Sequence, residues 1–75
     1  MKLTLLLSAR MSIYNEIRTL REAKHLTQED LANAVDVSRQ TIVAIEKGNY
    51  TPSLLLAMQL AKFFGVSIER LFRIK

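Results

Sequence analysis

This sequence predicts an all-α fold: five short helices in one domain, preceded by a short N-terminal extended arm. Three observations predict it. Apolar residues recur at spacings of three and four from residue 13 onward. A serine or threonine precedes each of these runs, where a helix N-cap belongs. Two glycines, Gly48 and Gly65, stand where two of the runs stop. At 75 residues the chain holds one domain, which buries only about 60% of the surface its unfolded form exposes. It has no cysteine and one histidine, which excludes a disulfide framework, thiolate zinc sites and multi-histidine metal sites. No metal or cofactor is expected. Stability must come from a hydrophobic core, and 49% hydrophobic residues against 24% charged supply one. Two glycines and one proline are too few for a loop-rich or disordered chain.

Residues 1–10 stand apart from the rest. They contain no acid, and Leu3, Leu5 and Leu7 alternate with Thr4 and Leu6, the pattern of a strand or an extended arm. The apolar run after Lys2 is shorter than the roughly 7–15 residues of a secretory signal. No stretch approaches the about 20 apolar residues of a spanning helix. The expected location is cytoplasmic, away from any membrane. Residues 11–75 make the helical domain. Ser12 is placed to cap a first helix whose inner face is Ile13, Ile17 and Leu20, running to about Lys24. Thr27 caps the second, with Asp30 three residues on as an imperfect capping box and Leu31, Ala32 and Val35 facing inward. Asp36-Val37 is a tight break. Ser38 caps a third helix with Ile42 and Ile45 inward, stopped by Gly48. After the loop Asn49-Tyr50-Thr51-Pro52, Ser53 caps a fourth helix that packs through Leu54, Ala57, Leu60, Ala61 and Phe64. Ser67 caps a short fifth helix with Ile68, Leu71 and Phe72.

The second and third helices, joined by about three residues, form a helix-turn-helix unit. Ala32 stands where the two helices cross closely, so its small side chain is required. Leu31, Val35, Val37, Ile42 and Ile45 converge on one core. Arg39, Gln40, Thr41, Val43, Ala44 and Lys47 are left on the outward faces of the third helix. Arg bridges guanine O6 and N7, and Gln bridges adenine N6 and N7, in the major groove. Taken alone, Arg39 and Gln40 are solvated residues at a helix start. Within the whole spaced pattern they read as contacts to base edges.

The segment TQEDLANAVDVSRQTIVAIEKGNYTPS, followed by LAKFFGVSIERLF, resembles the Cro/CI-type (XRE-like) helix-turn-helix family. The resemblance covers about residues 13–72. Its motifs LTQEDLA, VSRQTI, IEKG, PSL and FGVSIE agree in order. It implies a lambda-repressor-like, five-helix DNA-binding domain. By that resemblance, Gln28 contacts a phosphate and braces a side chain of the recognition helix. Arg39, Gln40 and Ala44 occupy base-reading positions. Ala44 offers only an apolar contact, for instance to a thymine methyl, and Val43 adds another. Thr41 reaches a phosphate, and Lys47, Asn49, Tyr50, Thr51 and Ser53 follow the DNA backbone. Tyr50 fits equally well as a loop anchor packed on the domain. Arg21 and Glu46 match a structural ion pair that ties the recognition helix to the scaffold, so Glu46 is no catalytic candidate.

The chain departs from that family at three places. Asp36 stands where the tight turn usually has glycine. Val43 and Leu55 are apolar, and Leu55 with Met58 forms a second apolar strip on the fourth helix. Many relatives begin where Met11-Ser12 stands, so residues 1–10 read either as an extension or as a misassigned start. One recognition helix with about three reading positions specifies too little sequence, so a homodimer on a two-fold operator of double-stranded DNA is expected. The candidate dimer residues are Leu3, Leu5, Leu7, Leu55, Phe63, Phe72 and Ile74. Enzymatic chemistry is not expected: there is no phosphate-binding glycine loop and no nucleophile with an evident base, and His25 reads as a surface histidine after the first helix. Two alternatives share the domain. One is an antitoxin that represses its own operon while holding a toxin partner, and the other is a protein-interaction module without DNA. The net charge of +4 argues little by itself. Lys2 and Arg10 supply two of the eleven bases, leaving nine bases against seven acids, a net of +2, in residues 11–75. The case for DNA rests on where Gln28, Arg39, Gln40 and Lys47 stand.

Overall fold

A computed structural model describes residues 13–74. In order these form β1 (Ile13–Asn15), α1 (Ile17–Ala23), α2 (Gln28–Ala34), α3 (Arg39–Lys47), α4 (Leu54–Phe64), α5 (Ile68–Leu71) and β2 (Phe72–Ile74). Five helices therefore enclose one core, with a two-stranded antiparallel sheet added to them. No described helix is long and apolar enough to cross a membrane.

The sheet corrects the reading of the first and last helices. Ile13 is not on the first helix. It is in β1, paired with Ile74, while Asn15 pairs with Phe72. Ser12 lies outside the described residues, and α1 starts after Glu16, which makes no side-chain cap bond. Asn15 substitutes for the cap: its Oδ1 accepts from the Ile17 amide at 3.2 Å. The strand prevails because β-branched Ile13 meets β-branched Ile74 across the ladder and the Tyr14 ring meets Arg73. Arg73 then bonds Glu16 at 2.6 Å and lies 5.3 Å over the Tyr14 ring. Phe72 is correspondingly a strand residue, and α5 ends at Leu71. The arm itself, with Leu3, Leu5 and Leu7, lies outside the described residues.

The core comprises Ile17, Leu31, Ala32, Val35, Ile42, Ile45, Leu56, Leu60, Ala61, Phe64 and Leu71. Leu54 does not join it and is 71% exposed. At 100° per residue it lies at the edge of the inward stripe of Leu56, Ala57, Leu60, Ala61 and Phe64, next to Ala61, but it is the first residue of α4 and is left outside the core. The caps of the other four helices form as the sequence implies. Thr27 accepts from the Asp30 amide and Asp30 from the Thr27 amide, a complete capping box despite the shorter acid. Those bonds to Thr27 hold the Asp30 carboxyl below its ordinary range. Ser38, Ser53 and Ser67 cap α3, α4 and α5.

Two non-glycine residues have left-handed backbones, His25 at φ 59° and Asp36 at φ 58°. His25 closes α1: its amide reaches the Glu22 carbonyl, and the next amide, Leu26, reaches Arg21. Its place is set by that turn. Asp36 turns the chain between α2 and α3, and the Val37 amide then bonds the Ala32 carbonyl at 3.0 Å. A left-handed residue with a Cβ is strained by about 1–2 kcal/mol, less for Asp. The more flexible unfolded state of glycine offsets part of the relief. Asp36→Gly is therefore expected to raise the melting midpoint by a few degrees, on the order of 0.5 kcal/mol. A thermal melt checks this, and a lower midpoint would show that the Asp36 side chain stabilises the turn.

Candidate nucleic-acid interface

Helix α3 is amphipathic. Ile42 and Ile45 are buried against the core, and Arg39, Gln40 and Lys47 are exposed. At 100° per residue, Gln40, Ala44 and Lys47 form one outward stripe at spacings of four and three. Arg39 and Val43 flank that stripe on the side of Glu46, and Thr41 flanks it on the other. Val43, Ala44 and Thr41 are half-buried, so Arg39 and Gln40 are the side chains that stand out from the N-terminal half.

The scaffold fixes this helix at three points. Arg21 of α1 is 9% exposed. Its Nε donates to Glu46 Oε2 at 2.7 Å and its Nη2 to Glu46 Oε1 at 3.1 Å. The remaining arm, Nη1, donates to the Leu26 carbonyl at 2.8 Å. Donation to the Glu46 carboxylate holds the Arg21 guanidinium above its ordinary value, against the opposing effect of burial. Gln28, the first residue of α2, adds an Nε2 bond to Glu46 Oε1 at 3.1 Å. Thus Gln28 touches α3 through the carboxylate of its penultimate residue. The third point is Asn15, whose Nδ2 donates to the Ile45 carbonyl at 2.9 Å. Sequence reasoning missed Asn15 because it was placed inside a helix, where an Asn side chain has no reason to reach another element.

The candidate phosphate residues separate into groups around α3. Gln28 and Lys47 line a cleft with Arg18, Arg21, Val43 and Glu46. Thr41, Tyr50 and Ser53 line a groove on the opposite flank, with Val37 and Leu55 among its walls. Asn49 and Thr51 line a third depression, which Tyr50 also borders, with Asn15 and Phe72. Two hydroxyls are already engaged. Ser53 Oγ accepts from the Leu56 amide, and Ser38 and Thr41 share a bond at 3.0 Å. Each hydroxyl has further bonding capacity. Tyr50 is 47% exposed, neither packed away nor fully free. Arg18 is the residue that sequence reasoning passed over. Its signal was its position three residues before Arg21, one turn back on the same face of α1.

The candidate dimer residues scatter. Leu55 and Ile74 are each 67% exposed and Phe63 is 37% exposed, whereas Phe72 packs against the core. Leu54 and Met58 join Leu55 in an exposed apolar strip on α4.

Residues 17–71 match the helix-turn-helix family model. Over 58 residues the chain is 60% identical to an uncharacterised HTH-type transcriptional regulator of Methanocaldococcus jannaschii, covering 77% of this chain and 88% of that one. It is 44% identical over 57 residues to the cryptic phage CTXphi transcriptional repressor RstR of Vibrio cholerae, covering 76% of this chain and 51% of that protein. Among solved structures it is similar to the restriction-modification controller protein C.AhdI of Aeromonas hydrophila, at a TM-score of 0.67 and 31% identity, covering 73% and 83% of the two chains. With the matched segment running from the start of α1 to the end of α5, the chain belongs to the helix-turn-helix family.

Proposed function

We propose that the chain is a transcriptional regulator that binds double-stranded DNA in a sequence-specific manner as a homodimer, α3 lying in the major groove in a lambda-repressor-like arrangement. The observation that carries this reading is the outward face of α3. Its exposed Arg39 and Gln40 stand clear of the core, while polar side chains from other elements line both flanks of the helix. Such a face matches a groove whose floor carries base edges and whose walls carry phosphates. Arg39, Gln40, Ala44 and Val43 read bases. Gln28, Thr41, Lys47, Asn49, Tyr50, Thr51 and Ser53 hold the backbone. Residues 11–75 act as the DNA-binding unit, with residues 1–10 as an appended arm. Pairing two copies places two recognition helices about 34 Å apart on a two-fold site. Repression by occupancy of an operator is the mode this reading assigns, and one relative, RstR, carries the name of a transcriptional repressor.

Selection of bound duplexes from a random pool tests the reading, followed by titration of the selected site against salt. The expected result is a two-fold symmetric site, with log affinity falling by about 0.9 per log unit of salt for each phosphate neutralised. A flat salt dependence on every duplex would reject DNA binding, and an asymmetric single half-site would reject the dimer.

A further inference from the structure

The cleft between α1 and α3 gathers three cations. Arg18, Arg21 and Lys47 line it together with Gln28, Val43 and Glu46, around about 340 Å3 of space. Arg21 is consumed within the protein, since all three arms of its fork are bonded to Glu46 and Leu26. Glu46 is consumed in turn, neutralised by Arg21 and bonded by Gln28. Lys47 is exposed and makes no ion pair among the described residues. Arg18 contacts Glu22 at 3.3 Å, but the two side chains are 71% and 56% exposed. Such a pair within one helix turn contributes only about 0.3–0.5 kcal/mol. The cleft therefore offers two cations that water and a weak surface partner hold lightly, beside one buried carboxylate that is already compensated.

Lys47 also belongs to the outward stripe of Gln40 and Ala44. When that stripe faces the base edges, the cleft faces the strand along that flank of the groove. We propose that a DNA backbone phosphate seats in this cleft between Arg18 and Lys47. Arg18 thereby becomes a phosphate-binding residue supplied by the scaffold helix rather than by the helix-turn-helix. The guanidinium suits this role because its fork binds two phosphate oxygens at once. The seat also fixes the register of the domain on the duplex, because its two cations come from different helices. The inference rests on the DNA-binding reading above.

The test measures binding of the full chain to its selected duplex across a salt series, for the parent, Arg18→Gln, Arg18→Lys and Glu22→Gln. Arg18→Gln is expected to weaken binding about two- to fivefold per protomer, equally on all sequences. It should make the salt slope shallower by less than the roughly 0.9 of a whole phosphate per protomer, since Lys47 still faces that phosphate, and leave the selected motif and the thermal melt unchanged. Arg18→Lys retains the slope, and Glu22→Gln tightens binding by freeing Arg18. A parent-like slope and affinity in Arg18→Gln would overturn the seat, as would a loss confined to one base position. If the parent itself shows no salt slope on any duplex, DNA binding falls, and the seat with it.

Discussion

Arg21→Ala is expected to lower stability by about 3–5 kcal/mol, the cost of leaving one member of a buried ion pair alone. The loss is large because the Glu46 side chain is only 5% exposed and gains little water when its partner disappears. The Leu26 carbonyl also loses its donor. For a chain of 75 residues, total stability is on the order of 4–11 kcal/mol. The variant is therefore expected to melt at least about 12 °C below the parent. Thermal or urea denaturation checks this, and an unchanged midpoint would mean that Glu46 is solvated. A second variant separates the causes. Arg21→Met combined with Glu46→Leu removes both charges and should recover part of the loss, because the unpaired carboxylate is gone. At temperatures where Arg21→Ala is still folded, its preferred DNA sequence should be that of the parent, since Arg21 faces Glu46 and reaches no base.

Arg39→Ala should act in the opposite sense, with normal folding and impaired recognition. The side chain is exposed at the first position of α3, so its removal leaves the core and the Ser38 cap in place. Loss of a base-reading arginine costs about 1–3 kcal/mol per half-site. On a two-fold site the loss occurs twice, about 2–6 kcal/mol in all, which weakens binding roughly 30-fold or more. The diagnostic result is a relaxed preference at one symmetric pair of base positions, with the salt slope nearly unchanged. A uniform loss across all sequences with a shallower slope would reassign Arg39 to a phosphate.

The middle of the domain was readable because its signals are local. Thr27, Ser38, Ser53 and Ser67 cap helices within three residues of themselves, and Gly48 and Gly65 end helices in left-handed turns. The inward stripes of α2 and α3 follow from spacing alone. The edges were not readable, because their signals are distant. Ile13 is separated from Ile74 by nearly the whole chain, and nothing near Ile13 announces the partner. Spacings of four and three through Ile13, Ile17 and Leu20 fit a helix, and only the ladder decides against it. Leu54 differs for another reason: its spacing to Ala57 and Ala61 fits the inward stripe, and only its place as the first residue of the helix leaves it exposed. In the candidate site, Arg39, Gln40 and Gln28 were legible from spacing and resemblance. Asn15 was not, because its bond reaches Ile45 on a distant element, and Arg18 was not, because the cleft it lines is completed by residues of α2 and α3.

Asn15 has a mechanical consequence. Its backbone lies in β1, its Oδ1 starts α1, and its Nδ2 holds the carbonyl of Ile45 near the end of α3. Arg21 and Gln28 clamp the next residue, Glu46, from two further elements. Helix α3 is thus braced to its scaffold at adjacent points by three different segments, and it has no hinge there. Under the proposed function, such a domain cannot pivot α3 to suit a longer or shorter gap between half-sites. On a two-fold operator, tolerance for spacing must come from the joint between copies or from bending of the DNA itself.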